Sequence, residues 1–143
     1  MKPDFYKLLV EETPDALIAT SPDGKVLHWN RGAETTFGYS SAEAVGRSLN
    51  DLIVPPDLVE EEKAIQREAL ETGTATFESF RRRKDSSLIY VNVSMRVIRD
   101  EQGQLRRYVN VYINGEDCRV LANQDSAVPD NAEIQILPSV AGG

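Results

Sequence analysis

The apolar positions change period along the chain. Near the start, Phe5, Leu8 and Leu9 fall at helical spacing. Pro14 closes that segment, because a proline disfavours helical geometry in the residue before it, and Asp4 is the expected N-cap. This stripe is too large to leave in water, so it packs on its own domain or against a second copy. Residues 16–21 form a short apolar run followed by Pro22-Asp23-Gly24-Lys25. Proline presets the backbone angle there, and Asp-Gly supplies the positive φ of a tight turn. With the return strand 26–29, residues 16–29 read as a hairpin.

Helical signals come next. Asn30 is a strong N-cap, Ala33 and Phe37 mark a buried side, and Gly38 is placed to end the helix. Ser40 or Ser41 opens a further turn that Gly46 closes, and residues 50–53 suggest one more before Pro55-Pro56. Pro56 suits the first position of a longer helix over 56–72. Asp57, Glu60, Glu61 and Glu62 sit near its N-terminus, where negative charge complements the helix dipole. Leu58, Ile65 and Ala69 share one face, the charged majority reads as solvated, and Gly73 stops the helix.

From residue 75 the period becomes two. Val91, Val93, Met95 and Val97 share one face of a strand over 88–98, and Tyr90, Asn92, Ser94 and Arg96 the other. In a last strand, 105–113, Val109, Val111 and Ile113 alternate with Tyr108, Asn110 and Tyr112. The turn clusters 84–87 and 100–103 join three consecutive strands into an antiparallel meander. Two strands, several short helices and three strands predict an α+β fold: one five-stranded antiparallel sheet with helices grouped on one face. The expected organisation is an N-terminal helix over 1–14, a domain over 15–118, and a linker or loosely docked tail over 119–143.

Composition narrows the function. A chain of 143 residues, 41% hydrophobic and 27% charged, suits one domain with short appendages. A net charge of −7 argues against a nucleic-acid partner. The single cysteine, Cys118, cannot close an internal disulfide, and no Cys/His set has zinc spacing. No run approaches the roughly 20 apolar residues of a membrane span, and the first ten residues lack a signal-peptide core. The expectation is a cytoplasmic protein with no membrane partner.

The stretch Ser21-Pro22-Asp23-Gly24-Lys25-Val26-Leu27-His28-Trp29-Asn30, with Gly32-Ala33-Glu34 and Phe37-Gly38-Tyr39, resembles the opening half of PAS domains. Residues 78–85, then Val91-Asn92-Val93-Ser94 and Arg99-Asp100 with Gly103, resemble the closing half. The resemblance spans about residues 5–118. It implies a sensory and dimerising module of the kind joined to kinases, cyclases or transcription regulators, with a pocket that holds haem, a flavin, a small acid or nothing. Fold alone does not choose among these.

The resemblance places an axial haem histidine on the long helix, where this chain has none. Its one histidine, His28, reads as a strand residue packed against the N-terminal helix. It places a flavin-bonding cysteine on a helix after the second strand, and residues 31–53 contain none. No cofactor is expected; non-covalent flavin, facing Trp29, Asn92, Ser94 and Asn110, stays open as an alternative. The run Arg81-Arg82-Arg83-Lys84 reads as a solvated edge and turn paired with acids such as Glu34. No catalytic triad, nucleotide loop or calcium loop is visible, so neither enzyme activity nor a metal site is expected.

The expected function is therefore ligand sensing or signal relay, controlling an effector not encoded in these residues. The alternatives are a flavin or haem sensor and an interaction module without ligand. An interior site is expected at Ile18, Trp29, Phe37, Ile53, Ile65, Val91 and Tyr108, filled by core or by a modest apolar ligand. A homodimer is expected through Phe5, Leu8 and Leu9 with Tyr90, Tyr108 and Tyr112 of the outer sheet face.

Overall fold

A computed structural model of the chain describes residues 2–114. Cys118 and the expected tail, 119–143, lie outside the described residues. The element order is α1 (Lys2–Glu12), β1 (Ala16–Thr20), β2 (Val26–Trp29), α2 (Arg31–Phe37), α3 (Ser41–Ala44), α4 (Leu49–Ile53), a 3-10 turn (Pro56–Leu58), α5 (Val59–Thr72), β3 (Thr74–Arg82), β4 (Leu88–Arg99) and β5 (Leu105–Asn114). The strands form one antiparallel sheet in the order β2-β1-β5-β4-β3. This is the expected α+β architecture. Among the described residues no helix is long and apolar enough to cross a membrane.

The local signals act through identifiable bonds. Gly24 takes φ 88° in the turn between β1 and β2. Ser40 and Glu43 form a capping box at α3, each side chain bonding the other's backbone N–H. Asp4, expected at the N-cap, lies inside α1 instead, since the helix begins at Lys2.

Asn30 does more than cap α2. Its Oδ1 accepts from Ala33 N at 2.9 Å and Leu17 N at 2.8 Å. Its Nδ2 donates to Val10 O at 2.7 Å and Asp15 O at 3.1 Å. One fully buried side chain thus ties α1, the following loop, β1 and α2 together. Gly32 makes that junction possible, because a Cβ there would run into the Asp15 carbonyl.

Two apolar clusters lie between the sheet and the helices. The larger holds Ile18, Trp29, Phe37, Leu52, Ile53, Val91, Val93 and Tyr112. Trp29 Nε1 donates to Tyr39 O at 2.9 Å, so its polar edge is satisfied inside the core. The smaller, under α5, holds Ala69, Ala75, Met95 and Tyr108, with Ile65 packed on it.

The inner face of β5 carries Tyr108, Asn110 and Tyr112, which are buried, while Val109, Val111 and Ile113 are half-buried on the outer face. A register shift at Ile98/Arg99 causes this. Beside the turn Arg99 pairs with Leu105, but beyond the shift Met95 pairs with Asn110 and Val97 with Tyr108. Without the extra residue Met95 would face Val109; a one-residue slip exchanges the two faces of a strand. Tyr112, expected at an outer interface, is instead turned inward, edge-on to Phe37 with ring centroids 5.3 Å apart.

Candidate functional site

Between the two clusters the inner face of β5 is interrupted by Asn110. Beside it opens a cavity of about 160 Å³. Its floor is made by Thr20, Met95, Tyr108 and Asn110, each at most 5% exposed. Its mouth is made by Pro22, Asp23 and Gly24 of the first turn and Ser48, Leu49 and Asn50 at the start of α4, with Gln66 reaching in from α5. Leu49 N donates to Gly24 O at 3.0 Å, which holds the two sides of the mouth together.

The polar chemistry here is incomplete. Asn110 is 2% exposed; its Nδ2 donates to Tyr112 Oη at 3.0 Å, but its buried Oδ1 has no partner among the described residues. A buried acceptor without a donor costs about 1–3 kcal/mol. The cavity beside it is about ten times the ~15 Å³ that one water needs. Burial raises the pKa of the Tyr108 hydroxyl, which therefore stays protonated at neutral pH. The Ser21 hydroxyl bonds Asp23 and holds its carboxyl below the usual range, so the mouth carries a negative charge.

A second polar group lies deeper. Arg81 Nη2 bonds Glu62 Oε1 at 2.5 Å, with both side chains buried. Arg81 Nη1 donates to Phe80 O at 2.8 Å and Ser79 Oγ at 3.1 Å, and Ser79 Oγ donates to Glu61 at 2.7 Å. Burial raises the pKa of Glu62, and the Arg81 charge opposes that rise. Burial, reinforced by Glu62, pushes the Tyr112 hydroxyl far above its usual range.

Arg81 was therefore misread as solvated, and Glu62 as surface charge on α5. Lys84 does sit at the surface, but pairs with Glu43 at 2.6 Å, while Glu34 accepts from Ser41 N. His28 Nε2 lies 3.1 Å from Glu11 of α1, beside that helix as expected. The signal for Glu62 was present: it stands four residues after Leu58 and three before Ile65, inside the apolar stripe.

Of the expected interior residues, Ile18, Trp29, Phe37, Ile53 and Val91 meet in the larger cluster, Ile65 packs on the smaller one, and Tyr108 lines the cavity. Phe5, Leu8 and Leu9 are 53–58% exposed on α1, and Tyr90 is half-buried on β4. The residues considered for a flavin divide between faces: Asn110 points inward, whereas Asn92 and Ser94 line a groove on the outer sheet face. Among the described residues no group of three His, Cys, Asp or Glu is placed to hold a metal.

Known proteins agree with this geometry. The PAS fold model matches residues 4–112. A PAS domain from Colwellia psychrerythraea superposes with a TM-score of 0.74 at 25% identity, covering 80% of this chain and 97% of that one. An RNA-binding light-oxygen-voltage receptor gives 0.72 at 19% identity, over 99% of this chain and 37% of the receptor. The PAS domain of a LuxR-family transcriptional regulator from Burkholderia thailandensis, solved in complex with ethanol, gives 0.65 at 21%, over 76% and 96%. Separately, 41 residues are 46% identical to the sulfur carrier protein CysO of Mycobacterium bovis and Mycobacterium tuberculosis. That match takes in 29% of this chain, and the chain spans less than half, 44%, of those curated relatives. The match over residues 4–112, with the five-stranded sheet and its helices on one face, makes the chain a member of the PAS family of sensory and signalling domains.

Proposed function

We propose that this chain is a ligand-sensing PAS module, without catalytic activity, that binds a small polar molecule in the Asn110 cavity and relays occupancy to an effector. The observation that carries the reading is the buried Asn110 Oδ1, unpartnered among the described residues, beside a cavity larger than one water. A volume of about 160 Å³ falls below the roughly 300–1,000 Å³ of drug-sized sites, which favours a ligand of few atoms over a flavin. Ethanol, as in the Burkholderia thailandensis domain, is of that scale. Relay through a homodimer is part of the same reading: the exposed Phe5, Leu8 and Leu9 of α1 supply an apolar surface for a second copy. A cytoplasmic setting belongs to it as well. Thermal unfolding of the chain across a library of small polar metabolites tests the proposal. A concentration-dependent rise in Tm that disappears in Asn110→Leu is expected; no rise with any compound leaves the ligand-free interaction module ahead.

A further inference from the structure

We infer that the cavity selects an uncharged ligand bearing an O–H or N–H donor, a small polyol or primary amide, and that Asn110 Oδ1 makes the selecting contact. This rests on reading the cavity as a ligand site. The orientation of the Asn110 amide follows from what lies behind it. Tyr112 is sealed in the core, within the electrostatic reach of both members of the Glu62–Arg81 pair. The Tyr112 oxygen offers Asn110 a lone pair. Asn110 Nδ2 fills it at 3.0 Å, and Oδ1 is thereby committed to the cavity side as an acceptor. A ligand atom meeting it must donate.

Charge is selected by the rest of the lining. Asp23 at the mouth is ionised, and among the described residues no lysine, arginine or histidine lines the cavity, Lys25 and Arg99 acting on Asp23 and Tyr108 from outside the lining. A carboxylate ligand would meet one like charge and an acceptor, with no cation in the lining to replace its hydration. The alternating hydroxyl and amide groups of Thr20, Ser48, Asn50 and Gln66 suit a molecule with several neutral hydrogen-bonding groups.

Matched probes test this by amide and side-chain chemical shifts of the full-length chain. Acetamide is compared with N,N-dimethylacetamide, ethylene glycol with 1,2-dimethoxyethane, and acetate serves as the anion. Acetamide and ethylene glycol are expected to move the Asn110 side-chain resonances and to bind about tenfold more tightly than their aprotic mates, the scale of one hydrogen bond. Asn110→Leu should abolish that difference. Equal binding of an aprotic mate or of acetate at these resonances overturns the donor requirement while leaving a ligand site. If no probe moves any cavity resonance, the ligand-site reading falls with it. The comparison on the parent chain stands even where Asn110→Leu does not fold.

Discussion

Arg81 Nη2 lies 2.5 Å from Glu62 Oε1, and neither side chain keeps more than 2% of its surface exposed. Removing one partner leaves a charge in the core. Arg81→Met should lower the unfolding free energy by about 3–5 kcal/mol, whereas Arg81→Met with Glu62→Leu should recover most of that loss. Urea unfolding of both variants measures it. A double variant no better than the single would mean that the guanidinium's bonds to Phe80 O and Ser79, not its charge pairing, carry the effect.

The pH dependence of Glu62 has a definite sign. Burial raises its folded pKa above the ordinary glutamate value of about 4.5, so the folded state holds its proton more tightly than the unfolded chain. The associated stability is present in full below about 4.5 and is lost as pH rises through the folded value. The unfolding free energy of the parent minus that of Glu62→Gln should therefore decrease as pH rises above about 4.5. A difference that grows with pH contradicts the assignment.

Asn30 bonds four backbone groups drawn from α1, the following loop, β1 and α2. Asn30→Ala should cost more than the roughly 0.5–2 kcal/mol of a lost cap, since three further backbone partners lose their bonds. Asn30→Asp keeps the cap but turns an acceptor towards the Val10 and Asp15 carbonyls, and should be comparably harmful. Chemical denaturation reads both. A loss for Asn30→Asp below about 1 kcal/mol would show that the tie to α1 is weak.

The exposed α1 stripe predicts self-association. Burying one large apolar side chain is worth about 1.5–3 kcal/mol, against an association cost of roughly 4–15 kcal/mol. Three such residues are marginal alone, so the outer groove lined by Val109, Val111 and Ile113 must also contribute. Sedimentation equilibrium should show a dimer for the parent and a monomer for Leu8→Glu, Leu9→Glu. A monomeric parent at high concentration, or an unaffected variant, ends the dimer reading.

Much of the fold was legible because turn and cap residues act locally. Pro22-Asp23-Gly24, Asn30, Gly38 and Gly73 mark real boundaries. The face of β5 was not legible, since its two alternating sets are equally plausible core sets until the shift at Ile98/Arg99 is known. That one irregularity brings Tyr108, Asn110 and Tyr112 inside, and with them the cavity floor. Glu62 and Arg81 were obscured by their charge, although helical spacing and strand alternation aligned both with inner positions. The apolar residues converging around Trp29 were readable as a group, but a filled core and a pocket lining have the same signature. Only packing places the opening at Asn110.

The central claim is that Asn110 Oδ1 waits for a ligand donor. A crystal structure of the full chain grown in ethylene glycol tests this most directly. The account predicts ligand density in the cavity with a hydroxyl oxygen about 2.7–3.0 Å from Oδ1 and the Nδ2 bond to Tyr112 intact. A cavity closed by inward movement of Gln66 or Tyr108, with Oδ1 bonded to a protein group, would contradict it.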